Sequence, residues 1–490
     1  MSDLSDKPSA TESFKRWMRE STTFKVGCIG FITLLLLIPV TMISGLVSER
    51  ESARDEVVRD ISTKWGGPQT LTGPVLTVPV TVREKTGETE KVVDVTRSGD
   101  AAGGKKQSGE TKTVTEPVYS TRTLRVHFLP EELTVDGELT AKTRYRSIYE
   151  VLLYGSKLSF RGQFTQPEFE QFDMENARVE WERATIAVGI SDLTGIRDEV
   201  QLAFGGHDYE FNPSLPSKEV VPSGISVPVD LQRPSPDMNA APQADDAPTT
   251  YAFDFDLRLN GRKQLHVVPV GKTTKVHLES DHPSPSFDGD FLPDTRTIDE
   301  TGFAADWSVL DLNRNFPQKW HGDAYHLNSS AFGVELVTPV DHYQKSDRST
   351  KYGFLFIFLT FTVFFFAEFL NDNRIHPLQY LMVGAGICVF YVLLIALSEH
   401  IGFNLSFLAA STGIIGLITG YSKSILADGV LTAIVGTSLV GLYAFLFTIL
   451  QLEMYALLIG SLGLFLVLAA VMYLSRNVDW YRRSSRDGSV

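Results

Sequence analysis

Six long apolar runs frame this 490-residue chain. The first covers residues 26–47 and holds no charged side chain. The others cover 352–370, 378–397, 401–420, 427–450 and 455–474, divided by polar breaks such as Asn371-Asp372-Asn373-Arg374 and Tyr421-Ser422-Lys423-Ser424. A bilayer core about 30 Å thick takes about 20 residues of helix, so each run is long enough to cross. Residues 48–351 contain no comparable run. The pattern predicts a multi-span membrane protein, an α-helical transmembrane bundle of six spans, with one large soluble domain inserted after the first span. Charges in 48–56 recur at three- and four-residue spacing and predict that the first helix continues beyond its apolar run. That run is longer than a signal-peptide core and no small-x-small site follows it, so an uncleaved anchor is expected.

Within 48–351 the period changes to two. Residues 75–82 alternate apolar with small or polar positions, 83–91 are polar and 92–95 are apolar again, which predicts a hairpin with its turn at 83–91. Short strands are expected at 121–128, 133–135, 138–145, 157–164, 184–190, 200–204, 253–259, 265–270 and 273–278. Residues 98–113, rich in Gly, Lys, Ser and Thr, are expected to be an exposed loop or disordered. The Pro-rich stretch 233–249 is expected to be a linker. The domain should be mainly β, a sandwich or two stacked sheets, with possible lobes at 65–232 and 250–340. No internal repeat marks a duplication.

Lys and Arg placement sets the expected orientation. Lys7, Lys15, Arg16, Arg19 and Lys25 precede the first span, and Arg374, Lys423, Arg476, Arg482, Arg483 and Arg486 fall on the same side by parity. The turns around Glu399 and Glu453 carry neither Lys nor Arg. Lys345, Arg348 and Lys351 disagree, but long translocated domains tolerate such charges. The expected organisation is a cytoplasmic segment 1–25, an anchor 26–47, a periplasmic domain 48–351, a five-helix transmembrane block 352–474 and a cytoplasmic tail 475–490. Both termini are then cytoplasmic and the large domain lies outside, in a multi-pass membrane protein.

Charge narrows the partners. Residues 48–351 carry 34 Lys and Arg against 48 Asp and Glu, which accounts for the whole net charge of −14. Such an acidic domain is a poor match for nucleic acid or anionic lipid headgroups and suits solubility or a cationic partner. The two cysteines, Cys28 and Cys388, lie inside spans, so the soluble domain has no disulfides. A domain of this size buries enough apolar surface without them.

Catalytic motifs are weak. Lys85-Thr86-Gly87 resembles an element of penicillin-recognising serine enzymes, but no S-x-x-K stands in the domain, and a turn explains it better. His321, Asp323 and His326, and likewise His277, Asp281 and His282, are loose sets without the spacing of a helical metal pair. Paired carboxylates such as Asp254/Asp256 and Asp288/Asp290 arise freely in so acidic a domain. No catalytic, metal-binding or cofactor-binding residue is assigned, and no cofactor is expected.

Ionisable residues at the span edges are more selective, because burial in hydrocarbon is costly. Glu368, Arg374, Lys423 and Asp428 belong to one edge. Glu399, His400 and Glu453 belong to the other and form the candidate functional seam at the periplasmic membrane edge. Interfacial capping is the plain reading of all three. The functional reading is a polar seam that docks the outer domain or relays a proton, in which His400, or Lys345, Arg348 and Lys351, supplies the positive partner.

A longer set of residues carries a family resemblance. It comprises Gly66-Gly67-Pro68-Gln69, Gly73-Pro74-Val75-Leu76, Asp311-Leu312-Asn313-Arg314-Asn315-Phe316-Pro317-Gln318 and Pro339-Val340-Asp341-His342-Tyr343-Gln344. It continues with Arg348-Ser349-Thr350-Lys351-Tyr352-Gly353, Leu359-Thr360-Phe361, Ile375-His376-Pro377-Leu378-Gln379-Tyr380 and Leu397-Ser398-Glu399-His400-Ile401. The run Gln451-Leu452-Glu453-Met454-Tyr455 and Asn477-Val478-Asp479-Trp480-Tyr481 close it. Together these resemble the CreD family of bacterial inner-membrane proteins, named for cell-envelope integrity and colicin tolerance. The resemblance implies envelope stress, including β-lactam responses, and a two-component regulon, and brings no catalytic residues with it. Residues 98–113 and 233–249 depart from the family pattern as surface insertions.

The expected function is a non-enzymatic contribution to envelope integrity, in which the periplasmic domain binds another envelope protein or a cell-wall component and the bundle sits in the lipid bilayer. The alternatives are a periplasmic cell-wall hydrolase or transferase, and a transporter or lipid-handling protein. Missing nucleophile motifs disfavour the first, and the lack of mid-membrane charge disfavours the second. No segment expected in the cytoplasm is long enough for a kinase output domain.

Overall fold

The computed structural model describes residues 22–95, 110–172, 177–231, 250–337, 342–370, 375–452 and 455–476. The chain divides into two compact units, Met1–Glu56 with Val340–Val490, and Val57–Pro339. The soluble domain expected at 48–351 is therefore narrower at both ends. Residues 48–56 continue the first helix, and the segment from 342 forms a helix of its own.

The helices of the described residues are α1 (Thr22–Trp65), α2 (His342–Lys351), α3 (Gly353–Leu370), α4 (Pro377–Ile401), α5 (Phe403–Leu426), α6 (Gly429–Gln451) and α7 (Ala456–Ser475). Five of them, α1 and α4 to α7, are long and apolar enough to cross a membrane, and α2 with α3 makes a sixth if that pair, bent by 48°, is one span. Helices apolar all round suit a membrane interior. Their ends follow local chemistry. Pro377 opens α4, with the His376 side chain accepting from the Leu378 amide at 3.2 Å. Gly402, at φ 77°, supplies the turn between α4 and α5. Asp428 caps α6 by accepting from the Val430 amide at 2.7 Å.

Leu36, Val40 and Val47 of α1 join Phe356 and Phe361 of α3, Tyr380, Phe390 and Tyr391 of α4, Phe407 of α5 and Tyr443 of α6 in one apolar core. Helix α1 approaches α4 closely at Gly384, where a Cβ would stand 2.1 Å from the Leu36 Cδ1 and the leucine side chain would have to move. No described residue of α7 is fully buried.

The second unit is built from β1 (Gln69–Val95), β2 (Glu110–Phe128), β3 (Glu132–Arg146), β4 (Tyr149–Thr165), β5 (Ala177–Val179), β6 (Thr185–Ile190), β7 (Gln201–Phe204), β8 (His207–Glu210), β9 (Gly224–Pro228), β10 (Thr250–Arg262), β11 (Gln264–Val267), β12 (Thr273–Ser280), β13 (Pro285–Gly289), β14 (Thr295–Asp299), β15 (Gly302–Leu310), β16 (Lys319–His321) and β17 (Phe332–Leu336). One sheet runs β13-β17-β11-β1-β2-β16, with β5 and β6 on β1 and β9 on β6. The other runs β14-β15-β12-β3-β4-β10-β7-β8. Strand β10 shows the period: Tyr251, Phe253, Phe255, Leu257 and Leu259 are buried and the residues between them are exposed. Both sheets feed a single apolar core. Residues 57–65 of α1 belong to this unit and pack Val58, Ile61 and Trp65 on Val151 and Leu153 of β4.

The expected turn at 83–91 is strand. Strands β1 and β2 stay paired as far as Val95 opposite Glu110, with a bulge between Lys85 and Gly87. On its other edge β1 pairs, among the described residues, with β6 and β5 only as far as Val82. Beyond that point β1 and β2 run as a two-stranded ribbon whose register shifts at Gly87. Residues 110–113, expected in a loop, open β2, and 96–109 lie outside the described residues. The two strands expected at 133–135 and 138–145 are one, β3. Gly137 continues it because a Cβ there would meet Leu278 and Leu158 at 2.6 and 2.7 Å.

The possible lobes at 65–232 and 250–340 are not separate. Strand β10 pairs with β4, β12 runs parallel to β3 and β11 runs parallel to β1. Sheet pairing is long-range, and a linker in the sequence does not prevent strands on either side from sharing a sheet. The linker, 233–249, lies outside the described residues.

Candidate functional site

The last turn of α4 brings Glu399 to the edge of the helical unit with its side chain only 11% exposed. A carboxylate this buried needs hydrogen bonds or a counter-charge. Tyr343 of α2 donates its hydroxyl to Glu399 at 3.1 Å. The Nε of Arg50 on α1 stands 3.9 Å from the same carboxylate oxygen. Beside them Lys345 donates to Gln451 Oε1 at 2.9 Å, and Gln451 Nε2 donates to Asn404 Oδ1 at 2.6 Å. The Lys345 ammonium also lies 5.7 Å from the centre of the Phe403 ring. Lys351 pairs with Asp347 at 2.6 Å, one turn away on its own helix.

Of the three seam residues, the structure places Glu399 in this cluster and leaves His400 exposed. Glu453 lies outside the described residues. The nearby cation of Glu399 is Arg50, which belongs to the charged continuation of the first helix. Lys345 serves Gln451 instead.

The opposite edge holds a matching arrangement that sequence reasoning missed. Glu368, near the end of α3, is likewise 11% exposed and is paired with Lys25 of α1. Tyr380 of α4 donates to it at 3.0 Å. Lys25 and Arg50 are twenty-five residues apart on one helix, about 37 Å of rise, against a hydrocarbon layer of about 30 Å. Helix α1 is thus tied at two levels by a carboxylate, a tyrosine and its own cation. The available signal was a lone carboxylate at the end of an apolar helix, with a tyrosine at the start of the next.

The β unit has its own concavity. An open groove of about 800 Å³ lies along β1, β2 and β5, lined by Thr81, Arg83, Tyr119, Arg178, Glu180 and Arg183. Thr81 donates to Glu180 at 2.6 Å and Arg183 to its other oxygen at 2.7 Å. The Thr81 hydrogen bond, with Arg183 behind it, holds the Glu180 carboxyl below its ordinary pKa. Arg83 and Arg178 line the same wall. Periodicity marks such positions only as strand, because the groove is made where β5 joins β1.

A second polar cluster is closed. His127 of β2 is buried, with Nδ1 2.9 Å from the Thr77 hydroxyl and Nε2 3.4 Å from Glu219. Arg125 donates to Glu219 at 2.9 Å. Burial pushes the His127 imidazole down to about 4. A cavity of about 20 Å³ beside Thr77, His127 and Ser217 has room for a water molecule and no substrate.

The set His277, Asp281 and His282 is divided among separate partners. His277 pairs with Asp306 at 2.7 Å, His282 meets the Val337 carbonyl at 2.9 Å, and Asp281 accepts from the Ala141 amide. Asp254 is taken by Arg161, Asp256 by Ser159 and Asp288 by His266. Among the described residues no three His, Cys, Asp or Glu are placed to hold a metal ion.

A bundle of apolar helices joined to a two-sheet β domain defines a polytopic membrane protein with one large β-rich domain. The family model described as inner membrane protein CreD matches residues 21–481, and the chain belongs to that family. The inner membrane protein CreD of Escherichia coli (strain K12) is 32% identical to it over 453 residues, covering 91% of each chain. Among solved structures, the InvG secretin domain β-barrel from the Salmonella SPI-1 injectisome overlaps 38% of this chain and 59% of its own, at 7% identity and a TM-score of 0.06, and carries no argument about the fold.

Proposed function

We propose that this chain is a non-enzymatic component of the bacterial cell envelope. Its termini are cytoplasmic, its β unit is periplasmic, and that unit binds another envelope protein or a cell-wall component. The Lys/Arg pattern supports the orientation. The groove of about 800 Å³ along β1, β2 and β5 carries the binding reading. It is open, and it presents Arg83, Arg178 and the half-exposed Tyr119 on a strand scaffold. Arginine and tyrosine are enriched among the residues that carry the energetics of protein interfaces. On this reading the Glu399 cluster is a support: it fixes α1, α2 and α4 to one another.

The test is complementation of an envelope-stress phenotype together with crosslinking in intact cells. Arg83→Ala with Arg178→Ala should lower both complementation and capture of the partner while the membrane level stays unchanged. Full complementation by the pair would remove the groove from consideration.

A further inference from the structure

We propose that the tip of the β3–β4 hairpin, residues 143–149, is a contact for an anionic phospholipid surface. The tip is exposed and its composition is that of a membrane interface. Tyr145 is 71% exposed and Ile148 38%, while the Arg146 side chain is 54% exposed. Aromatic, aliphatic and basic side chains on one small projection combine burial at the headgroup boundary with attraction to phosphate.

The basic residues are ordered by the strand. Lys142, Arg144 and Arg146 alternate along β3, opposite Leu153, Val151 and Tyr149 of β4. Val151 and Leu153 on that side take the end of α1. There Lys142, Arg144 and Arg197 surround the Trp65 ring at 5.9, 5.3 and 5.0 Å, and Arg197 donates to the Trp65 carbonyl at 3.3 Å. The facing acids are few. Asp60 is shared between Arg146 and Lys64, and Glu150 stands opposite Tyr145.

The pairing with Asp60 also limits where the tip can go. Asp60 follows the first apolar run by thirteen residues, which span about 20 Å as helix and at most about 45 Å fully extended. The tip is therefore tethered near the bilayer, so a weak affinity per contact is enough. The acidity of the unit as a whole, 34 basic against 48 acidic residues over 48–351, opposes anionic lipid at long range. At contact the Debye length of about 8 Å leaves the local basic cluster in charge.

The experiment uses the full chain with Cys28→Ala and Cys388→Ala, reconstituted in nanodiscs of phosphatidylcholine alone or mixed with phosphatidylglycerol. A fluorophore is placed through Ser147→Cys, and quenching by brominated acyl chains is compared with quenching by aqueous iodide. Acyl-chain quenching is expected, stronger with phosphatidylglycerol. Arg144→Gln and Arg146→Gln should each lower the docked-to-free ratio of the tip by about fivefold in the anionic discs. Tyr145→Ser with Ile148→Ser, which touches no ion pair, should abolish lipid quenching in both. Iodide quenching alone, or lipid quenching indifferent to headgroup charge and to both arginines, would overturn the proposal.

Discussion

Tyr343 donates its hydroxyl to Glu399 across 3.1 Å and so joins the short helix α2 to the end of α4, fifty-six residues further along the chain. With Arg50 at 3.9 Å, this bond is what makes a nearly buried carboxylate tolerable. Tyr343→Phe leaves that carboxylate short of a donor, and unpaired buried groups cost about 1–3 kcal/mol. The full chain in detergent should lose stability by that order, and Glu399→Gln with Tyr343→Phe together should lose less than the sum of the two single changes. Strict additivity in a double-mutant cycle would show that the contact carries no energy.

The pair at the other edge predicts a larger effect. Lys25→Met leaves the Glu368 carboxylate, among the described residues, with Tyr380 as its partner, and breaking one side of a buried ion pair costs about 3 kcal/mol or more. Adding Glu368→Gln should recover much of the loss. Thermal unfolding of the four proteins in one detergent decides it, and a double variant as weak as Lys25→Met alone counts against the pair.

Orientation is testable at exposed positions. Residues 398 and 422 are buried, so the informative single cysteines are His400→Cys and Ser424→Cys, both at exposed sites. In a background without Cys28 and Cys388, an impermeant thiol reagent applied to intact spheroplasts should label position 400 and not position 424. The reverse pattern would invert the proposed topology.

His127 predicts a pH dependence of the β unit. Its folded pKa of about 4 lies below the ordinary 6.5, so the native state binds fewer protons than the unfolded state between those values. The stabilisation is fully present above pH 6.5 and is lost as pH falls towards 4, by up to about 3 kcal/mol. Thr77, Arg125, Glu219 and His321 are the polar and charged groups facing the ring. His127→Gln should flatten this part of the curve, read by urea unfolding through the fluorescence of Trp320, 5.4 Å from the imidazole. An unchanged slope would assign the acid sensitivity to other groups.

Phe160 of β4 and Phe255 of β10, on either side of the linker in sequence, stack at 4.7 Å. Phe255→Ala should cost about 3–5 kcal/mol and speed amide exchange in residues 133–164 as much as in 250–262. Exchange confined to the second segment would restore two independent lobes.

The membrane helices were legible because each carries its own reason to exist: a run of apolar residues satisfies its backbone internally and needs no distant partner. The β class was legible from alternation, and the strands around Phe253 and Val135 fall where the period puts them. Composition misled where long-range pairing, rather than turn chemistry, decided the element. Residues 83–91 read as a turn, but the pairing of β1 with β2 carries strand through them, and Gly137 stands inside a strand with the Leu158 and Leu278 side chains packed against it.

The apolar membrane helices, the β class of the inserted domain and membership of the family were determined by the sequence on its own, since local periodicity and motif order carry them. Tertiary structure alone decided that Glu399 takes Tyr343 and Arg50, that Glu368 takes Lys25, that β10 to β12 enter the same sheets as β1 to β4, and that Arg83 and Arg178 share a groove. Each of these joins residues from 50 to several hundred positions apart. Such a pairing depends on which helix or strand edge comes to lie alongside, and a side chain's own neighbours in sequence hold no record of it.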